Sequence, residues 1–183
     1  MRTRISTVFG AIAATTLLAA CGSDADPAAD HNAADVTFAT EMIPHHRQAV
    51  EMAELAGTRA NSPEVLELAE EIAGAQEPEI ETMSGWLESW GEPVPEEMGG
   101  MDHGGMTGMM SEEQMRALEA ATGPAFDDMF LEMMIEHHTG AIQMAQTEQS
   151  EGQYADAVEL AAQIEQAQQA EIETMQDLLG TNE

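Results

Sequence analysis

Lysine is absent from this sequence, and only five arginines stand against 35 aspartate and glutamate residues. The formal net charge of −30 at neutral pH would repel the phosphates of DNA and RNA, so the composition argues against nucleic-acid binding. An acidic surface raises the local concentration of cations instead. The same charge also keeps an exposed protein in solution, which is sufficient explanation for most of these acids.

Cysteine occurs once, at Cys21, so neither an internal disulfide nor a cysteine metal cluster is available. Cys21 follows Leu-Ala-Ala at the end of a short apolar run with a basic start, a pattern typical of a lipoprotein signal. We predict a signal peptide at 1–20, cleavage before Cys21 and a lipid on its thiol. The lipid would tether an exported protein to the cell membrane, outside the cytoplasm. An uncleaved anchor or an ordinary signal peptide is the alternative.

Aromatic residues make up only 4% of the sequence, and no run alternates apolar with polar residues as a strand does. Residues 21–34 are small and polar and are predicted to form a flexible tether, with His31 in solvent. Helical periodicity dominates the rest of the chain. We therefore predict an all-α domain at 35–180.

The predicted helices have recognisable ends. Asp35 and Ser62 are the expected N-caps of the first two helices, and Gly91 is expected to end the second. Gly180 is expected to stop the last helix. The predicted segments are a first hairpin at 35–91, a Met- and Gly-rich linker at 92–110, a short helix at 111–121 and a second hairpin at 124–180.

The two hairpins repeat each other at one constant offset of 92 residues, without a gap. MIPHHRQAVEMA at 42–53 matches MIEHHTGAIQMA at 134–145, and QEPEIETM at 76–83 matches QQAEIETM at 168–175. Neither hairpin can bury its apolar stripe alone. Two of them are therefore expected to close into a four-helix bundle.

The duplication kept both histidine pairs while other positions changed. Arg47 and Gln48 correspond to Thr139 and Gly140, which we interpret as drift on the surface. Histidine is a poor core residue, because a neutral imidazole buried without a partner costs about 1–3 kcal/mol for each unsatisfied group. Its retention in both halves therefore needs an explanation.

Helical geometry predicts where these side chains point. Adjacent helix residues point about 100° apart. His45 continues the apolar stripe and should face into the bundle, whereas His46 should face a neighbouring helix. Met42 precedes His45 by about one turn on the same side, and the second motif repeats this arrangement. Thioether and imidazole groups are thus expected to converge on one point.

Imidazole and thioether without thiolate suit Cu(I), or Ag(I) as its mimic, far better than calcium or magnesium. The facing helices add a glutamate and a methionine one turn apart in each half, and a carboxylate there can orient a histidine ring or bind the ion itself. The predicted ligands of a copper site are Met42, His45, His46, Glu79, Met83, Met134, His137, His138, Glu171 and Met175.

A purely structural explanation exists for the same residues. Methionine at helical spacing usually fills core gaps, and we assign Met52, Met129, Met133 and Met144 to the core. A buried histidine pair can also be satisfied by a glutamate or glutamine of the facing helix. Two motifs, each with a methionine one turn ahead, favour a metal over this alternative.

The linker provides a separate signal. Exposed methionine in a polar loop gains nothing from packing, so soft-metal capture is one explanation and low-complexity drift is the other. The additional candidate ligands are Met98, Met101, His103, Met106, Met109 and Met110.

The doubled motif resembles the family known as domain of unknown function 305. The resemblance rests on MIPHHRQAVEMA followed by EIETMSGWL and on MIEHHTGAIQMA followed by EIETMQDLL, and it covers about residues 35–180. It implies a ferritin-like four-helix bundle, export from the cytoplasm, and copper binding as in characterised members. Carried across by motif, it implies the same ten ligand positions.

Three functions follow as hypotheses. The first is a lipid-anchored, extracytoplasmic copper-binding protein that sequesters the ion, confers tolerance or exchanges it with an unknown partner protein. The second is a structural or partner-binding surface lipoprotein. The third, a ferritin-like di-iron oxidase, expects Glu-x-x-His, whereas Glu41 and Glu132 are followed three residues later by Pro44 and Ile135. No catalytic motif is visible, so no enzymatic activity is predicted.

Overall fold

The computed structural model describes residues 30–96 and 107–181, and this part of the chain contains five α-helices and no β-strand. The all-α prediction is confirmed. None of the described helices has an apolar stretch long enough to cross a bilayer. The predicted signal peptide and Cys21 lie outside the described residues. The helices are α1 (Ala33–Arg59), α2 (Pro63–Trp90), α3 (Glu112–Ala120), α4 (Pro124–Glu151) and α5 (Ala155–Thr181).

Helix α1 begins earlier than expected. Asn32 is its N-cap, because the Asn32 side chain accepts the backbone N–H of Asp35 while the Asp35 carboxylate accepts the N–H of Asn32. This reciprocal capping box makes the prediction of Asp35 as N-cap wrong. The helix extends into the predicted tether at 21–34. His31 also differs from the prediction, since its ring stacks on Trp90 with centroids 4.4 Å apart.

The remaining helix ends show one further correction. Ser62 caps α2 with Pro63 in its first turn, and Gly91 ends that helix at φ 77°, as predicted. A left-handed residue at this position favours glycine, which lacks the Cβ that would be strained there. Gly180 does not stop α5, which continues to Thr181. Gly180 is exposed with open space around it, so the last turn accommodates it.

Two equivalent sets of hydrogen bonds orient the hairpins. Near the start of α1, the Asp35 carboxylate accepts the backbone N–H groups of residues 153–154, in the turn between α4 and α5, at 2.9 Å. Near the start of α4, Asp127 accepts those of residues 61–62, between α1 and α2, also at 2.9 Å. Each hairpin thus holds the turn of the other, so α1 and α4 run antiparallel. With α1 packed on α2 and α4 packed on α5, the four long helices form the predicted bundle.

Buried apolar side chains form two separate clusters, one toward each end of the bundle. Both clusters take residues from all four long helices, so neither hairpin has a core of its own. We call them the Phe38 cluster, with the start of α1, and the Phe126 cluster, with the start of α4. Large buried members are Met42, Ile43, Met83, Leu87 and Ile164 in the first, and Met52, Ile72, Phe130, Leu131 and Met134 in the second.

The methionines assigned to the core lie where packing predicts. Met52 and Met133 are buried in the Phe126 cluster. Met129 packs against the same cluster and Met144 against the Phe38 cluster, both partly buried. These four side chains therefore need no metal to explain them.

Candidate metal centre

A layer of buried polar side chains separates the two apolar clusters. Along each long helix, these polar residues lie between the residues of one apolar cluster and those of the other. They are 0 to 3% exposed. They occupy inward positions of the same helical stripes that supply the clusters. We call the set the histidine layer, and it consists of His45, His46, Gln76, His137, His138 and Gln168.

The rings of His45 and His137 meet within this layer. Their centroids are 3.7 Å apart and the rings are tilted by 40°. His45 faces into the bundle, as predicted. Neither ring nitrogen of either residue has a hydrogen-bond partner. A neutral imidazole has one N–H and one lone pair, so each ring holds a free lone pair inside the bundle.

The outer histidines are held by carboxylates of the facing helices. Nε2 of His46 lies 2.7 Å from Oε2 of Glu79, and Nε2 of His138 lies 2.5 Å from Oε2 of Glu171. With Nε2–H donating to the carboxylate, the lone pair of each neutral ring remains on Nδ1. Both Nδ1 atoms are buried without a partner. Carboxylates orient metal-binding histidines in this way in many proteins.

Burial keeps the central rings neutral. Burial, with smaller contributions from His46 and His138, lowers the pKa of His45 from 6.5 to about 3. The nearby backbone of Thr107 opposes this shift. Burial, followed by the effect of His45 and then His138, holds the pKa of His137 well below its usual range. At neutral pH, both central rings are therefore neutral, the form that binds metals.

The four predicted methionine ligands are all fully buried, and they divide between the two sides of the histidine layer. Met42 and Met83 belong to the Phe38 cluster, whereas Met134 and Met175 belong to the Phe126 cluster. They divide because α1 and α4 run antiparallel, so residues that precede the histidines lie on opposite sides of the layer. The convergence of these sulfurs with the histidines on one cage stays a prediction.

The chemistry of these side chains fits a soft ion. Within residues 30–96 and 107–181, histidine, aspartate and glutamate do not form a three-ligand metal site by themselves. An ion with three or more ligands at the histidine layer would therefore take sulfur as well as nitrogen. Thioether and imidazole are ligands that Cu(I) accepts, and calcium and magnesium prefer oxygen.

Residues 92–96 and 107–110 of the predicted linker are described, and the last two of them pack into the bundle. Met109 and Met110 are 7% and 2% exposed, so the prediction of exposed linker methionines is wrong for both. The Gln48 side chain donates to the carbonyl oxygen of Met110 at 2.9 Å and accepts its N–H at 2.6 Å. The candidate residues outside the described part of the chain are Met98, Met101, His103 and Met106.

Sequence reasoning misjudged four residues around the histidine layer. Gln76 and Gln168, which are absent from the predicted ligands, are both buried with side-chain atoms that lack partners. Glutamine occurs at both of these positions, which are 92 residues apart in the repeat, and this repetition could have marked them as candidates. The interpretation of Gln48 and Gly140 as surface drift is wrong, since both residues are buried.

Comparison with known proteins identifies relatives of this chain. The family model described as "Domain of unknown function (DUF305)" matches residues 35–179. A DUF305 protein from Streptomyces coelicolor, named as a secreted protein, is 34% identical with a TM-score of 0.74, and the match covers 81% of this chain and 93% of that one. A DUF305 fragment from Deinococcus radiodurans is 31% identical with a TM-score of 0.74, covering 82% and 97%.

A third similar structure is that of CopM in its Cu(II)-bound form. It is 35% identical with a TM-score of 0.71, and the match covers 80% of this chain and 96% of CopM. CopM structures in Cu(I)-bound, Ag-bound and apo forms match as well. No curated protein matches the sequence. The family match over most of the length shows that this chain belongs to the DUF305 family.

Proposed function

We propose that this chain is an extracytoplasmic copper-binding protein that holds Cu(I), or Ag(I) in its place, at the histidine layer. The observation that carries the proposal is the set of six buried imidazole nitrogens without hydrogen-bond partners. A structural histidine network would satisfy these atoms within the protein. Coordination of a metal ion satisfies their lone pairs instead.

The positions of sulfur support two half-sites. Met42 and Met83 would supply thioethers from the Phe38 cluster, and Met134 and Met175 from the Phe126 cluster. The histidines between them belong to both half-sites. The carboxylates that accept hydrogen bonds from the outer histidines would act as orienting groups rather than ligands.

The relatives support the choice of metal and compartment. CopM is described in copper- and silver-bound forms, and both ions are soft enough for thioether and imidazole ligands. The Streptomyces coelicolor relative is named as a secreted protein. A lipid on Cys21 would tether this chain on the outer side of the membrane, where it would sequester the ion or pass it to a partner protein.

The ferritin-like oxidase is the weaker alternative. Di-iron sites in such bundles use inward-facing glutamates together with Glu-x-x-His. Glu41 and Glu132 are exposed, and neither is followed by histidine three residues later. Iron-dependent oxygen consumption would be needed to restore this hypothesis.

Replacing His45 and His137 together by alanine is expected to remove Cu(I) binding. The apparent affinity should fall by at least about 100-fold, because even residues that only orient ligands contribute about 10- to 100-fold. Competition between the purified chain and a chromogenic Cu(I) chelator measures the affinity.

The matched control is His31→Ala, which removes an imidazole that stacks on Trp90 away from the histidine layer. It should bind Cu(I) as the wild type does. Wild-type retention of Cu(I) by the double variant would reject the histidine layer as the binding site and favour the structural alternative.

The Cys21→Ser variant is expected to shift the exported protein from the membrane fraction to the soluble fraction. A serine hydroxyl at this position cannot carry the thioether-linked lipid that the signal specifies. Fractionation of cells that process lipoproteins measures the distribution, with Ser23→Ala as the control. Continued membrane association of Cys21→Ser would indicate an uncleaved apolar anchor instead.

A further inference from the structure

The described end of the linker lies across the histidine layer. We call residues 107–110 the strap. The Gln48 side chain makes two hydrogen bonds to the backbone of Met110, and all the atoms involved are buried. Met110 belongs to the Phe126 cluster, which adds apolar contact to these polar ones. The strap is thus part of the packed structure.

Close backbone contact fixes the other end of the strap to α4. A Cβ on Gly140 would overlap the carbonyl oxygen of Thr107 and lie 2.8 Å from Cα of Gly108. Gly108 itself has φ +83°, and a Cβ there would lie 2.9 Å from the carbonyl oxygen of His137. Glycine at both positions is therefore what permits the strap to approach α4 directly at its histidine pair.

The strap also lies against the backbone of a central histidine, since the carbonyl oxygen of His137 is among the atoms nearest to Gly108. On α1, Arg47 donates to the carbonyl oxygens of residues 95 and 96 at 2.7 and 3.0 Å. Adjacent residues of α1 therefore hold both described ends of the linker.

These contacts explain why the repeats differ beside the histidines. The first repeat carries Arg47 and Gln48, which bind the linker, and the second carries Thr139 and Gly140, where the glycine makes room for it. Glutamine at both positions 48 and 140 would block the approach of the strap to α4. Glycine at both positions would remove the hydrogen bonds that hold the strap to α1. The asymmetry is therefore a requirement of packing the strap rather than neutral drift.

We propose that the strap is the movable wall of the metal centre, and that the ion enters and leaves between α1 and α4 when Met110 separates from Gln48. The inference rests on the proposed function. All four histidines are fully buried, so an ion reaches them only when part of the structure moves. Releasing the strap breaks two side-chain hydrogen bonds and the apolar contacts of Met110, whereas separating the long helices breaks both apolar clusters. Gln48 and Gly140 are thus positioning residues that control the rate of metal exchange.

The test compares Gln48→Leu with wild type. Leucine is an apolar side chain of comparable size that removes both hydrogen bonds and adds no sulfur ligand, so the Met110 amide should exchange its hydrogen about 10- to 100-fold faster in the metal-free protein. Release of Cu(I) to excess chelator, measured by stopped flow, should accelerate by a similar factor. The equilibrium affinity should change by less than about threefold, because association accelerates in parallel.

The matched control is Gln149→Leu. It removes another glutamine that links two helices, through its bond to Glu165 at 2.6 Å, at a distance from the strap. The control should leave both rates unchanged. Gly140→Ala is a second test variant, which displaces the strap without touching Gln48 and should accelerate metal release in the same way.

The outcomes separate this inference from the proposed function. Wild-type release rates in Gln48→Leu, despite faster exchange of the Met110 amide, would overturn the strap as the route and indicate entry past the partly exposed Glu79 and Glu171. An unchanged rate of hydrogen exchange at the Met110 amide would show that the hydrogen bonds from Gln48 do not hold the strap in place. Failure of the wild type to bind Cu(I) or Ag(I) would overturn both proposals.

Discussion

In the metal-free protein, replacing His45 and His137 together by leucine is expected to raise the free energy of unfolding by at least about 2 kcal/mol. The four nitrogens of these rings are buried without hydrogen-bond partners, and each unsatisfied group costs about 1–3 kcal/mol. Leucine has a similar volume and no polar atom, so it would join the two apolar clusters. Residues retained at a cost in stability are expected where function needs them.

Urea unfolding of the metal-free variant and wild type at two pH values measures this difference. The difference in the free energy of unfolding between the leucine variant and the wild type should increase as the pH falls. Unfolded histidine binds a proton near its ordinary pKa of 6.5, whereas folded His45 does so only near pH 3. Between these values the proton stabilises the unfolded wild type, by about 1.4 kcal/mol per pH unit for each such ring, and the leucine variant lacks this effect.

His46→Leu provides the matched control for the double variant. It removes the imidazole that lies 2.7 Å from the Glu79 carboxylate. Unlike the double variant, it therefore loses an existing side-chain hydrogen bond. This variant should be no more stable than the wild type. A large loss of stability in the double variant, about 3 kcal/mol or more, would show that His45 and His137 are satisfied structural groups and would remove the main support for copper binding.

Glu148→Gln is expected to abolish much of the pH dependence of stability between about pH 5 and pH 8. Glu148 is 1% exposed and faces Asp35 near the turn between α4 and α5. Burial, followed by the interaction with Asp35, raises the pKa of Glu148 from 4.5 to about 8. Asp35 remains charged, because backbone hydrogen bonds outweigh its burial and lower its pKa.

The direction of this pH dependence follows from the number of protons that the folded and unfolded states bind. Between pH 4.5 and about 8 the folded state holds a proton on Glu148 that the unfolded state has lost. Raising the pH through this window therefore lowers the free energy of unfolding by about 1.4 kcal/mol per unit, or about 5 kcal/mol in total. Glutamine has the same shape and does not titrate, so the variant should lack this slope.

Unfolding curves of the wild type and Glu148→Gln at intervals of one pH unit check this prediction. The matched control is Glu151→Gln, since Glu151 is an exposed glutamate near the end of the same helix and its loss should leave the slope unchanged. Parallel curves for the wild type and Glu148→Gln would show that Glu148 is already ionised in the folded protein at neutral pH.

The repeat itself indicates that Glu148 is a specific addition. The equivalent residue in the first half is Ala56, and Gly152 corresponds to Ala60. A Cβ on Gly152 would overlap Oε1 of Glu148. The two differences therefore belong together, because the smaller residue makes room for the carboxyl group.

Most of the fold could be predicted from local pattern. The 3.6-residue period placed His45 inward and His46 toward a facing helix, and the structure confirms both directions. Such predictions succeed because side-chain direction on a helix depends only on nearby residues. The duplication also allowed the pairing of the two hairpins to be predicted, because each half has an apolar stripe that it cannot bury alone.

The arrangement of the centre could not be predicted in the same way. Equal spacing in two repeats shows that Met42 and Met134 have equal surroundings, and it does not show that they meet. Gln48 and Met110 are 62 residues apart, so nothing near either residue signals their contact. Burial of the strap depends on tertiary packing, which overrides the polar, glycine-rich character of the linker.

The contact between His45 and His137 has a consequence for how the centre is assembled. Equivalent residues of two antiparallel hairpins touch only where a two-fold axis relates them, so one hairpin dimerising with its own copy would form the same contact. Such a homodimer would lose the site whenever dilution separated its subunits. Joining both hairpins in one polypeptide makes this contact independent of protein concentration.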